Sequence, residues 1–321
     1  MFASYCKKFT GLFPLWVVLV SALSYLYPDP VKPWGAYVPY YLAIVMLCMG
    51  LTMQAADFKL VFSSPRDVMW GVIPRFVIMP FVGFSIAKLM GLPPALAAGL
   101  ILVGCCPSAV ASNVMTFLSK GDTPLSVTVS SVNTILAPLL TPALFLLLAG
   151  SIVPVNAQAM LIDIAKVVLL PITIGVVIRQ LLNAAVEKIM PALPSISTIS
   201  LLFIIGTGVA MNAGRLASVA IVAFLAVVLH NAFGLLLGYL TARKLGGLSL
   251  HKAKAITFEI GMENSGLAVG LALAHLDPMA AIPGAIFSAW HNLTGSALAS
   301  YWSGKAEKEA AATGEAPSAE V

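Results

Sequence analysis

Charge is scarce in this chain. Only 10% of its 321 residues are Asp, Glu, Lys or Arg, where soluble domains carry roughly 25%. Hydrophobic residues make up 60%, against about 45–50% in soluble domains. That balance excludes a water-soluble fold, because too little polar surface remains to cover the apolar volume. It predicts an all-α polytopic membrane protein, with the lipid bilayer as its principal partner. Clusters of basic residues with interleaved aromatics are also missing. The net charge of +5 therefore reflects loop residues that set membrane topology, and no nucleic-acid partner is expected. The four cysteines, Cys6, Cys48, Cys105 and Cys106, lack metal-ligand spacing and are expected to be small, reduced packing residues. Neither His-Glu-x-x-His nor Gly-x-Ser-x-Gly occurs. An intramembrane enzyme built on His291, Glu259 and Ser112 would lack a base beside its nucleophile, so no enzyme and no organic cofactor are expected.

What the chain has is a series of long apolar runs. A crossing helix needs about 20 apolar residues, and that length predicts ten spans. They fall at 12–28, 37–54, 68–90, 94–118, 123–149, 157–183, 193–212, 217–241, 252–275 and 279–303. The first could imitate a signal peptide, but the similar spans that follow make it a transmembrane helix. One side carries Lys7, Lys8, Lys59, Arg66, Lys120, Arg179, Lys188, Arg243, Lys244, Lys252, Lys254, Lys305 and Lys308, and the other carries Lys32, Lys88 and Arg215. The asymmetry puts both termini in the cytoplasm and requires an even number of spans. Residues 305–321 are polar and rich in alanine and glutamate, and a disordered cytoplasmic tail is expected there.

Spans four and nine are each interrupted, by Gly104-Cys-Cys-Pro-Ser-Ala-Val-Ala-Ser-Asn113 and by Ile260-Gly-Met-Glu-Asn-Ser-Gly266. Five spans per half force the halves into opposite orientations, the inverted-repeat plan of secondary transporters. A broken helix inside a membrane frees backbone N–H and C=O groups, and it persists only where protein, ions or a cavity satisfy them. Two such helices crossing at the midplane would aim their free ends at one point.

The side chains at these breaks are hard oxygen donors. Ser112 and Asn113 end the first break, Ser126 and Ser130 share a face of span five, and Glu259 adds a carboxylate. The carbonyls of Ile260 and Met262 could join them. Such a set suits a hard, weakly polarising cation, which in a ten-helix carrier is expected to be sodium. The serines and asparagine alone would read as helix-to-helix hydrogen bonds. Glu259 changes that, because an intramembrane carboxylate needs a partner. Arg75, flanked by Pro74 and Pro80 in span three, needs an anionic partner in turn. Glu263 is the first candidate and Glu259 the second. Lys166, near the outer end of span six, can snorkel to the headgroups and is given no role. Asn133, Thr134 and Thr141 read as packing residues. The pair His291-Asn292 ranks above His230-Asn231, which has no further support.

Gly104-Cys-Cys-Pro-Ser-Ala-Val-Ala-Ser-Asn-Val-Met115, Leu125-Ser-Val-Thr-Val-Ser130, Phe258-Glu-Ile-Gly-Met-Glu-Asn-Ser-Gly-Leu-Ala268 and Ile282-Pro-Gly-Ala-Ile-Phe-Ser-Ala-Trp-His-Asn292 resemble the bacterial branch of the bile acid:sodium symporter family. The likeness runs from about residue 12 to 304. It implies ten helices in a panel domain (12–54 and 157–212) and a core domain (68–149 and 217–303), in a bacterial inner membrane. It also implies sodium-coupled symport of an organic anion, either bile-salt-like or a small carboxylate such as pantoate or pyruvate. A first sodium site follows from Ser112, Asn113, Ser126, Ser130 and Glu259. A second would use Glu259, Ile260, Met262 and two positions that are glutamine in the family and here are Glu263 and Arg75. Two outcomes are open at that second site. The Arg75 guanidinium takes the second cation's place, held by Glu263, or Glu263 binds sodium and Arg75 turns toward the substrate. A carrier using this pair for proton coupling, or coupled to a single sodium, is the alternative. The substrate cavity implied by the resemblance is lined by Ala109, Val110, Asn264, Ser265, His291 and Asn292.

Overall fold

A computed structural model describes residues 2–54 and 59–313. The described residues are helical between short turns, with one isolated bridge in place of any strand. The helices are α1 Phe2–Gly11, α2 Phe13–Leu26, α3 Val38–Thr52, α4 Lys59–Ser63, α5 Pro65–Leu89, α6 Pro94–Cys105, α7 Ala111–Leu118, α8 Thr123–Ala149, α9 Ala157–Ile164, α10 Leu170–Leu181, α11 Asn183–Ile189, α12 Leu193–Leu240, α13 Leu250–Gly261, α14 Ser265–His275 and α15 Ala281–Thr313. Proline stands in the first turn of α2, α3, α5, α6, α8, α10 and α12, where its missing N–H would have had no helical partner. Asp122, Asn156 and Asn264 cap α8, α9 and α14 by accepting from the backbone N–H three residues on. Among the described residues, five helical segments are long and apolar enough to cross a membrane, as the composition predicts.

Two expectations meet a different outcome. α15 runs on to Thr313, so helix extends into the segment expected to be a disordered tail, and residues 314–321 lie outside the described residues. The runs at 193–212 and 217–241 are joined in one continuous helix, α12, of 48 residues. A straight helix of that length would measure about 72 Å, more than twice the hydrocarbon core of about 30 Å. α12 is not straight. The Leu201 side chain fills the space beside Gly266, and Asn231 Nδ2 donates to the Gly261 carbonyl at 2.8 Å. Residues 201 and 231 would stand about 45 Å apart on a straight axis, whereas five extended residues span at most about 18 Å. α12 is therefore strongly bent between two arms that both reach the break between α13 and α14. Its polar turn region is tied down by Asn212, which donates to the Pro278 carbonyl at 2.7 Å, and by Arg215, 3.5 Å from Asp277.

Small residues allow the closest approaches. Gly175 of α10 lies against the backbone of Leu47 and Gly50 in α3, and Gly104 of α6 lies against the backbone of Met79 and Pro80 in α5. A side chain at either position would push two helices apart, which is why apolar membrane helices use glycine where they touch.

Candidate functional site: the paired helix breaks

The chain between α6 and α7 and the chain between α13 and α14 run antiparallel through each other's free backbone groups. Ser108 and Glu263 form the isolated bridge. Ala109 N–H donates to the Met262 carbonyl at 2.9 Å, and Asn264 N–H donates to the Pro107 carbonyl at 2.8 Å. The carbonyls left at the helix ends are met by side chains. Thr141 Oγ1 donates to Cys105 O at 2.8 Å, and Asn231 Nδ2 donates to Gly261 O. The Arg75 guanidinium donates to Gly104 O and Cys106 O. Each break thus finds its partners in the other break or in buried polar side chains, as irregular backbone at membrane depth requires.

On one side of this crossing lies an oxygen cluster. Glu259, near the end of α13, is fully buried. Its Oε1 accepts from Ser112 Oγ at 2.5 Å and from Ser126 Oγ at 2.6 Å. Ser126 also reaches Asn113 Oδ1 at 2.8 Å, and Asn113 Nδ2 donates to Ser130 Oγ at 3.2 Å. All five residues expected at the first cation site therefore meet, from α7, α8 and α13. Glu259 Oε2 makes no hydrogen bond of good geometry among the described residues, with the Ser108 hydroxyl as a further neighbour of the carboxylate.

The serines are arranged for exchange of partners. A hydroxyl has one proton and two acceptor lone pairs. Ser112 Oγ also lies 2.6 Å from Ala109 O, and Ser130 Oγ lies 3.0 Å from Val127 O. Ser126 can give its proton to Asn113 Oδ1 rather than to Glu259. Each hydroxyl can therefore turn its proton to a neutral acceptor and its lone pair toward a cation, leaving no donor stranded. Thr116 stands behind them, its Oγ1 donating to Ser126 Oγ at 3.1 Å. Thr116 escapes the sequence argument because nothing in its spacing separates it from an ordinary helix threonine. Only the register of α7 against α8 brings it to Ser126.

On the other side of the crossing, Arg75 and Glu263 pair. Both are fully buried. Arg75 Nη1 donates to Glu263 Oε1 at 2.8 Å, and Nη2 donates to Glu263 Oε2. Of the residues expected at a second cation site, Met262 has its carbonyl engaged by Ala109 N–H. Glu263 has both oxygens engaged by Arg75, and Glu259 faces the serines.

The residues implied for the substrate divide. Asn264 caps α14, and Ser265 Oγ lies 2.7 Å from Ser288 Oγ, with Asn292 Nδ2 donating to Ser288 O at 2.7 Å. Val110, at the start of α7, is 40% exposed, whereas Ala109 and His291 are buried. His291 packs edge-on to Phe287 and its Nδ1 has no hydrogen-bond partner among the described residues. The lower-ranked pair is the more engaged one. Asn231 caps Gly261 and accepts from Thr294 Oγ1 at 2.7 Å, and His230 Nε2 lies 3.0 Å from the Met79 carbonyl. Asn133 Nδ2 reaches Ser108 Oγ at 3.3 Å, so Asn133 and Thr141 attend the first break, whereas the sequence marks them only as packing. Lys166 lines a cleft of about 130 Å³ with Asp163 and His275, whose Oδ2 and Nε2 lie 3.1 Å apart.

Residues 39–219 match the model of the Sodium Bile acid symporter family. The chain is 44% identical over 299 residues to the "Uncharacterized sodium-dependent transporter YocS" of Bacillus subtilis (strain 168), covering 93% of each. It is 36% identical over 301 residues to the "Probable sodium/metabolite cotransporter BASS1, chloroplastic" of Arabidopsis thaliana, covering 92% of this chain and 74% of that protein. The rice protein of the same name is 35% identical over 293 residues, covering 90% of this chain and 72% of its own length. By family model and by relatives alike, the chain belongs to the Sodium Bile acid symporter family, whose members are sodium-dependent transporters and not enzymes.

Proposed function

We propose that the protein is a secondary active transporter that carries a small organic anion together with sodium across a bacterial inner membrane. The observation that supports this most is the buried Glu259 carboxylate, which is answered by the hydroxyls of Ser112 and Ser126 and whose Oε2 makes no hydrogen bond of good geometry among the described residues. A sodium ion held by Ser112, Asn113, Ser126, Ser130 and Glu259 would tie α7, α8 and α13 together. It would thereby fix the N-terminal ends of α7 and α14. Helix N-termini carry partial positive charge, so these ends suit the carboxylate of a substrate near Val110, Asn264 and Ser265. The cation then orders the place where the anion binds, which is coupling by linkage.

In this reading the chain crosses the membrane ten times as two inverted halves, with α12 supplying two spans through its bend. Both termini face the cytoplasm. The panel (α2, α3, α9, α10 and the first arm of α12) stays still while the core moves against it, exposing the site alternately. Pantoate and pyruvate represent the expected substrate class, in keeping with the metabolite cotransporters among the relatives. Proton coupling through Glu263 is disfavoured, because protonating that carboxylate would strand the buried Arg75 charge.

Uptake of radiolabelled pantoate and pyruvate into proteoliposomes tests the function. An inward sodium gradient should drive accumulation of at least one of them, and replacing sodium with choline should abolish it. Accumulation that persists in choline under a proton gradient would reject sodium coupling.

A further inference from the structure

Glu259 and Glu263 stand four residues apart on one break and are buried to the same degree, yet they are answered differently. Glu259 receives only hydroxyl groups, which carry no charge. Glu263 receives a guanidinium on both oxygens. The same guanidinium caps Gly104 and Cys106. These carbonyls belong to the C-terminal end of α6, the end that carries partial negative charge. A carboxylate and a row of helix-end carbonyls converging at one buried point make a cation position, and here the chain itself fills it. The Arg75 stem comes from α5, between Pro74 and Pro80.

We propose that Arg75 is a tethered cation, permanently occupying one of two cation positions in the crossing, so that the transporter binds and moves one sodium ion per cycle. The inference rests on the reading that the Glu259 cluster binds sodium, and adds the count. Both broken helices must have their charge balanced before they can move together. One position is balanced for good by Arg75, and the other is balanced only when sodium arrives at Glu259. Coupling therefore depends on a single ion-binding event. Arg75 serves as a positioning residue at the crossing, where it holds α5, α6 and the α13 break in one arrangement.

Equilibrium binding of ²²Na⁺ to the purified, full-length protein tests the count. Wild type should saturate at one sodium per chain, and Glu259→Ala should bind none. Arg75→Gln frees the Glu263 carboxylate and the α6 carbonyls, and should raise the count to two. If that variant does not fold, the first two counts still decide. Two sodium ions on wild type, or one retained on Glu259→Ala, would overturn the proposal. So would a folded Arg75→Gln protein that still binds one. Wild type that binds no sodium would overturn the reading of the Glu259 cluster itself, a result distinguishable from these.

Discussion

Two carboxylates on one break share a burial level and differ in their partners, and the difference sets what each substitution should do. Arg75→Ala leaves Glu263 buried without its counter-charge, which costs about 3–5 kcal/mol for a broken buried pair. Denaturation of purified protein should show that loss in sodium-free buffer, and sodium should recover part of it by entering the vacated position beside Glu263. Thr116→Val, by contrast, keeps the volume and removes the donor to Ser126. Loss of an outer hydrogen bond to a metal ligand costs roughly 10–100-fold in affinity. Titrating sodium against thermal stability should place Thr116→Val in that range with little change in sodium-free stability. The sequence exposes Glu259, the serines and Asn113 because acids and clustered hydroxyls are out of place in an apolar run. It hides Thr116, whose residue type is common in helices and whose role arises only from a neighbour on another helix, and it ranks Asn231 too low because the carbonyl that Asn231 caps lies 30 residues away in the chain.

The helical character was legible from apolar length and the two interruptions, since each reflects a local cost. The path of α12 was not. A polar stretch around Asn212 and Arg215 reads as a loop between two spans, whereas the chain stays helical from Leu193 to Leu240 and bends within that length. What decides between them lies in distant partners, Pro278 and Asp277. At this scale Asn231→Ala should be informative, because it strips the donor from Gly261 O and the acceptor from Thr294. Leaving such buried groups unsatisfied costs about 1–3 kcal/mol, visible as a lower thermal midpoint in detergent. Gly175→Leu should be worse. Its side chain would meet the backbone of Gly50 and Leu47, so separation of α3 from α10 and loss of folded protein in size-exclusion profiles are expected.

Across the whole molecule, the account joins a fixed internal charge to a single mobile one. A carrier that moves one sodium with one monocarboxylate transfers no net charge. Its uptake rate in proteoliposomes should therefore ignore a valinomycin-imposed potential. A two-sodium carrier would move one charge, worth about 2.3 kcal/mol per 100 mV, and would show a strong voltage dependence. Beneath both outcomes lies the claim that sodium binds through Glu259. The most direct measurement is the thermal midpoint of purified wild type and Glu259→Ala as sodium replaces choline at constant ionic strength. A ligand that binds only the folded state raises stability by RT ln(1 + c/Kd) at free concentration c, an increase that continues with the logarithm of its concentration. The account predicts a midpoint that climbs with the logarithm of sodium concentration for wild type and a flat response for a folded Glu259→Ala protein. An equal rise in both proteins would contradict it.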